Sequence, residues 1–305
     1  MGAYVSRFSG FFSRERSRSA WHALVSMAKV LLRRPMGAAG TVIILIFAAM
    51  ALFAPTIAGP YPNYATGANV SIPFSPPSPG FPLGTDHYGR SNFALLVYGS
   101  RVSLAVGLTA SLVAIVLGSL AGLAAGYYGK IWDQIISRIN DFFLVIPWLP
   151  FVLVIVAVWG RSFTTIVLAI AIISWPTTAR VVRSKVLTVK TLGYVERARA
   201  IGAGDGRIIF HHVLPVVVPL IFANMILTIA NSIFTESFLA FFGLGDPAQV
   251  SWGTMIQTSY DASRIFAGAY WEVLPPGIAI TALVLAFTMV SHVLEELINP
   301  KFRRR

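Results

Sequence analysis

The stretch Gly193–Pro215, GYVERARAIGAGDGRIIFHHVLP, lies between two long apolar runs and is itself basic and broken by glycines. It is too polar to stay in hydrocarbon and too short to fold as a domain. Within it Tyr194, Ala198 and Ile201 recur at i, i+4 and i+7, a narrow apolar stripe on a short helix, and Glu196 and Arg199 are spaced to pair at i, i+3. Gly202 and Gly204 end that helix. Asp205 is placed to cap a second one starting near Gly206, and Pro215 begins the next run, where its missing N–H costs nothing. Two short helices meeting at a glycine bend are therefore expected. Helices of about eight residues are marginal in water, so the apolar stripe requires a groove on a partner. Replacing Gly202 by Asp is expected to abolish function, because a branched side chain would not fit the bend.

The flanking runs set the context. Of 305 residues 56% are hydrophobic and 12% charged, with a mean hydropathy of +0.71, against roughly a quarter charged in soluble proteins. This is the composition of an all-α membrane protein with no large appended unit. A span needs about 20 apolar residues to cross roughly 30 Å of hydrocarbon. Six stretches qualify: Met36–Ala58, Val102–Tyr128, Ile139–Trp159, Phe163–Val182, Val216–Leu244 and Leu274–Leu294. All are expected to be helical, since lipid offers no partner to an unpaired backbone N–H. Pro147, Pro150, Pro176 and Pro219 fall inside or near span ends, where neighbouring helices make kinks tolerable.

Lys and Arg set the orientation. One side collects Arg7, Arg14, Arg16, Arg18, Lys29, Arg33 and Arg34, then Lys130 and Arg138, seven more from Arg180 to Arg207, and Lys301 with Arg303–Arg305; the other keeps Arg90, Arg101, Arg161 and Arg264. The asymmetry places both termini in the cytoplasm of a multi-pass cell-membrane protein. The chain divides into a basic cytoplasmic lead, 1–35, a membrane domain, 36–298, with an outer loop at 59–100 and a cytoplasmic loop at 183–214, and a basic tail, 299–305. The lead lacks an apolar core, does not read as a cleavable signal, and suits contact with anionic membrane lipid or, equally, a disordered tail. A net charge of +12 would also fit nucleic acid, but the bases cluster beside apolar runs, so topology explains them and no nucleic-acid partner is expected. Zero cysteines exclude disulfides, thiolate metal sites and cysteine nucleophiles.

The cytoplasmic stretch then acquires a family resemblance. Glu196, Ala198, Gly202, Leu214 and Pro215 have the order and spacing of the "EAA" loop of ABC importer permeases, with Arg197 in place of the first alanine and His212 in place of the isoleucine. PLGTDHYGRSNFALLVYGSRVSL (Pro82–Leu104), ESFLAFFGLG (Glu236–Gly245), SWGTM (Ser251–Met255) and Asn299-Pro300-Lys301 resemble segments of the dipeptide, oligopeptide and nickel group. By its length and its long outer segment before LGTD the chain resembles the C-type subunit. The resemblance implies a type I ABC importer permease fold. It implies a non-enzymatic subunit forming half of a path for di- or oligopeptides, or alternatively oligosaccharides or nickel complexes. It also implies a B-type sister permease in a heterodimer, two ABC ATPases that bind ATP and Mg, and an extracellular binding protein. No cofactor or metal is expected in the chain itself. Tyr194, Glu196, Arg197, Ala198, Ile201, Gly202, Leu214 and Pro215 would form the coupling helix that docks into the ATPase.

The same residues admit rival readings. Gly202-Ala203-Gly204-Asp205 spells the GxGD of intramembrane aspartyl proteases, but Asp205 lies in a polar loop among arginines and no Tyr-Asp pair precedes it. The pair His211-His212 lacks acidic or histidine partners nearby, and no HExxH, GxSxG or P-loop occurs. An ion-driven secondary transporter would show more intramembrane charge or an inverted repeat. Glu236 is the one acid deep in a candidate span; its cost in lipid requires that it line the substrate path or pack against other helices, with Thr235 and Ser237 beside it. Gly118, Ser119, Ala121, Gly122, Ala125 and Gly126 allow close helix contact. The outer segment Gly59–Gly80 reads as an extended loop, with a glycosylation sequon at Asn69-Val70-Ser71.

Overall fold

A computed structural model describes residues 31–63, 66–264 and 266–298, and among these every regular element is a helix, with only isolated β-bridges in the loops. Residues 1–30 of the expected basic lead, the 299–305 tail and the Asn299-Pro300-Lys301 motif lie outside the described residues. In chain order the helices are α1 (Pro35–Leu52), α2 (Ala54–Ala58), α3 (Asn92–Tyr128), α4 (Lys130–Val145), α5 (Trp148–Trp159), α6 (Phe163–Val189), α7 (Gly193–Ala200), α8 (Asp205–Ile208), α9 (Leu214–Leu239), α10 (Trp252–Asp261) and α11 (Tyr270–Ile298). Among the described residues five helical runs are long and apolar enough to cross a membrane, or six if α4 and α5 count as one broken span.

That broken span departs from the expected continuous helix over Ile139–Trp159. The axes of α4 and α5 differ by 92°. The cause is local: Ile146, at φ −66° and ψ 130°, is extended because Pro147 crowds the helical region for the residue before it, and Pro147 has no N–H to continue the ladder. Pro150 falls in the first turn of α5, where no donor is needed. The α4 side carries Asp133 and Asp141, which reach Arg183 and Arg180 on α6; Arg183 grips Asp133 through both Nε and Nη2. Other ends also move. Phe53 interrupts the first span between α1 and α2, and Arg101 donates to the freed Ala51 carbonyl at 2.5 Å. α3 starts at Asn92, inside the expected outer loop, and α6 runs on past Val182 to Val189.

α3 and α6 pack along their length, α9 lies against α3 and α11, and α11 against α1. The α3–α6 seam is the small-residue ridge read from the sequence. A Cβ added at Gly118 would sit 2.6 Å from the Trp175 carbonyl oxygen, one at Gly122 2.6 Å from that of Ala179, and one at Gly126 2.7 Å from Val186 Cβ. In lipid, where apolar burial drives little association, such backbone approach gains dispersion contacts along the whole seam.

The segment before α3 is ordered by its own polar groups. Asp86, almost fully buried, accepts from the N–H groups of Tyr88 and Arg90 and from Arg90 Nε at 2.8–2.9 Å. Ser91 Oγ caps α3 by accepting from Ala94 N–H. Asn69 donates its Nδ2 to the carbonyls of Ala58 and Pro60 at 2.8 and 2.6 Å, tying the loop to the end of α2. The sequon nitrogen is thereby a structural donor, and a glycan on it would take one of the two hydrogens that these bonds use.

Candidate functional site

The Gly193–Pro215 stretch folds as a helical hairpin. α7 begins after Leu192, carries Glu196 in its first turn and Arg197 and Arg199 in its last, as the helix dipole favours. It ends in a Schellman motif: Gly202, at φ +84°, donates its N–H to the Arg199 carbonyl, and Ala203 donates to that of Ala198, both at 3.0 Å. No atom would lie within 4 Å of a Cβ at Gly202. Glycine is required there for its dihedral angle, and the expected lack of room is corrected to an open bend.

α8 follows and merges with α9 into one helical run from Asp205 to Leu244. Pro215 thus stands at the start of the α-helical part of the span, as expected, within a helical run that extends back to Asp205. The fold absorbs it with a wide turn over Ile209–Val213, in which Leu214 N–H donates to the Ile209 carbonyl five residues back. Leu214 and Pro215 then open α9 proper.

The hairpin packs on the bundle through a different face from the one expected. Val195 and Ala198 are buried, joined by Ile208, Val213 and Val217, against Tyr127 of α3 and Val182, Val186 and Val189 of α6. Tyr194 is half-exposed, with its hydroxyl 3.5 Å from the His212 carbonyl, and burial pushes its phenol above the ordinary range. Ile201 is 86% exposed. The stripe Tyr194–Ala198–Ile201 is therefore split, because Ile201 sits past the last helical turn, where the chain reverses. Val195 was missed, since a single valine in a polar turn gives no period of its own.

The charged residues also choose other partners. Arg199 leaves Glu196 and stands over the Tyr127 ring at 5.7 Å, and the Tyr127 phenol oxygen beside it holds its guanidinium above the ordinary value. Asp205 makes no cap with its side chain; its Oδ1 accepts from the Tyr127 hydroxyl at 2.7 Å. Glu196 and Arg197 face outward, as do Ile201 and Phe210, the latter 66% exposed. Tyr127 and Phe210 were invisible to a reading confined to periodicity: one lies on a distant span, the other inside the wide turn.

Glu236 lies toward the other end of α9 and is 2% exposed. Its Oε2 accepts from Ser103 of α3 and from Ser237, each at 3.3 Å, and Ser251 at the start of α10 supplies a third hydroxyl. Thr235 turns away and donates to the Asn231 carbonyl. The acid thus sits at a junction of three helices. A cleft of about 230 Å³ at this end is lined by residues including Asp86, Arg161, Asp246 and Gln257, and Glu236 is not among them. Arg161 donates to the Gly243 carbonyl at 2.8 Å and Asp246 accepts from Phe163 N–H, which ties the α5–α6 loop to the end of α9.

Comparison with known proteins supplies the frame for this geometry. Residues 114–304 match the binding-protein-dependent transport system inner membrane component, and residues 20–77 match the N-terminal TM domain of oligopeptide transport permease C. The chain is 37% identical over 276 residues to the dipeptide transport system permease protein DppC of Alkalihalophilus pseudofirmus, covering 90% of this chain and 89% of that protein. It is 34% identical over 266 residues to the oligopeptide transport system permease protein OppC of Bacillus subtilis, covering 87% and 85%. Among solved structures it resembles an inward-facing chain of the MetNI methionine ABC transporter, with a TM-score of 0.54 at 21% identity, over 68% of this chain and 97% of that one, a likeness of fold alone. The match over 114–304 and the relatives spanning nine-tenths of the chain show that it belongs to the family of binding-protein-dependent transport system inner membrane components, as a multi-pass permease subunit of the ABC importer class.

Proposed function

We propose that this chain is the C-type membrane half of an ATP-driven importer of di- and oligopeptides, paired with a homologous B-type permease. Two ABC ATPases bind ATP and Mg²⁺, and an extracellular binding protein delivers the peptide. Peptide cargo is supported by the names of the relatives, dipeptide and oligopeptide permeases at 34–37% identity. Both termini and the Gly193–Pro215 hairpin lie in the cytoplasm on this reading, supported by the Lys and Arg asymmetry.

The observation that carries it is the two-sidedness of the hairpin. Val195 and Ala198 fasten it to the bundle, while Glu196, Arg197, Ile201 and Phe210 are left outside. An apolar knob ringed by charge and standing on a rigid base fits a groove on a cytoplasmic motor subunit. The two motors close on ATP, the hairpins move with their grooves, and the membrane halves rock between outward and inward openings. Glu236 serves in helix packing on this reading, supported by its burial among three serines.

The chain has no cysteine, so a single Cys at Ile201 or Phe210 is its only thiol. In the reconstituted complex such a thiol is expected to cross-link to the ATPase. Peptide uptake is expected to require both ATP hydrolysis and the binding protein. Labelling of either thiol from the external side of intact cells would overturn the proposal.

A further inference from the structure

We propose that Tyr127 is a positioning residue that clamps the hairpin to α3, so that the motor's stroke enters the membrane bundle through α3 and α6 as well as through α9. The inference rests on reading Gly193–Pro215 as the coupling hairpin.

The covalent route from α7 to α9 is the weaker of the two connections. It passes Gly202, Gly204 and Gly206, none of which has an atom within 4 Å of its Cβ position, then a four-residue helix and the wide turn ahead of Pro215. Ala203 packs on the bundle at that bend, but the three glycines bring no side chain to resist a change of angle. A push on the outer face of α7 would flex it before it moved α9.

Tyr127 braces the bend from inside. Arg199 on α7 stands over its ring at 5.7 Å, and Asp205 on α8 accepts from its hydroxyl at 2.7 Å, so both arms of the hairpin hold one side chain. Tyr127 is 6% exposed and Asp205 lies at the surface, and a hydrogen bond to a carboxylate is stronger than one between neutral groups. Its anchor is equally firm. The preceding Gly126 packs on Val186 of α6, and the Gly126 carbonyl accepts from Lys190 Nζ at 2.7 Å. The hairpin and the adjoining ends of α3 and α6 thus form one body, whose seam continues through Gly122 and Gly118.

Tyr127→Phe keeps the ring, its packing and its place under Arg199, and removes the hydroxyl with its bond to Asp205 and its interaction with Arg199. Asp205→Ala removes the same bond from the other side, and Asp205→Asn retains a carbonyl acceptor. The full complex of sister permease, ATPases and binding protein is the test object. Spin labels at Ile201 and Leu120, both exposed, report the hairpin-to-α3 distance. In the native chain that distance is expected to stay the same with and without ATP. In Tyr127→Phe and Asp205→Ala it is expected to change with nucleotide, and Asp205→Asn to behave as native. Trialanine moved per ATP hydrolysed is expected to fall about tenfold in the first two variants. A native distance that already changes with nucleotide, or an unchanged distance and an unchanged ratio in Tyr127→Phe, overturns the clamp while leaving the coupling reading intact. Failure of Ile201→Cys to cross-link to the ATPase overturns both. Should trialanine not be carried at all, the peptide assignment fails and the distance measurement still decides the clamp.

Discussion

Gly202 permits a graded test of how the hairpin is held. Its φ of +84° lies where an L-residue pays about 1–2 kcal/mol. The empty surroundings mean that the size of a substituent adds nothing in the chain itself. A residue that escapes the strain by leaving this region loses the two Schellman bonds, to the carbonyls of Arg199 and Ala198, each worth about 0.5–1.5 kcal/mol, so the escape costs as much as the strain. Asn and Asp tolerate the left-handed region better than Ala, and β-branched residues least. The expected order of damage is therefore Asn and Asp mild, Ala intermediate, Val severe. For Ala, a loss of about 1–2 kcal/mol corresponds to a 5–30-fold smaller population of the intact hairpin. Thermal unfolding of the purified chain and ATP-driven uptake by the assembled complex both measure it, with membrane insertion as the control. The two assays should rank the variants alike. Asp as damaging as Val, or Ala equal to wild type in both assays, would refute the dihedral argument. A ranking seen only in the complex would shift the requirement for glycine from the bend to the partner's groove.

Other substitutions probe the bundle. Gly122→Ala drives a methyl against the Ala179 carbonyl and Val182 Cβ, backbone and branched atoms that yield little, so the chain should lose about 1–3 kcal/mol and melt earlier in detergent; an unshifted melt would mean the α3–α6 seam is looser than drawn. Glu236→Gln should insert and transport nearly as wild type, whereas Glu236→Ala, which strands the Ser103 and Ser237 hydroxyls, should destabilise by about 1–3 kcal/mol. A stable Glu236→Gln chain that no longer transports would place the carboxylate on the substrate path. Asp133→Ala removes the partly exposed partner of Arg183 and should cost about 1 kcal/mol, largely recovered by the exchanged pair Asp133→Arg with Arg183→Asp; double-mutant thermal melts check it. Asn69→Ala should speed proteolysis of the segment between α2 and α3, since its amide ties that segment to Ala58 and Pro60.

How much of this was legible depended on whether the deciding interaction was local. The spans were readable because hydrocarbon imposes length and composition on each of them separately. The glycine ridge of α3 was readable because three glycines spaced by four mark one helix face, whatever packs on it. The ends of the spans were less so: Ser91, an ordinary cap, starts α3 well before the apolar run begins, since its first turns are buried by α10 and not by lipid. The third span looked continuous in hydropathy and breaks because Pro147 acts on Ile146 through sterics that a hydropathy window averages away.

Inside the hairpin the same division appears residue by residue. The two-helix shape and its glycine bend follow from neighbours in sequence. The pairing of its charges does not. Glu196 and Arg199 satisfy the local spacing rule, yet an exposed pair of that kind is worth only a few tenths of a kcal/mol. The Tyr127 ring and hydroxyl, arriving from a helix whose position is set by its seam with α6, offer the surface residues Arg199 and Asp205 a buried aromatic partner, and a cation over a ring or a hydrogen bond to a carboxylate is worth more than that exposed pair. A weak local preference thus gave way to a tertiary one, and it did so at the joint where the hairpin meets the bundle. Gly202 shows the complement: the residue and its place were correctly read, and only the structure distinguishes a demand for φ from a demand for space. That distinction decides which substitutions the joint tolerates, because open space admits Asp where a crowded bend would have excluded it.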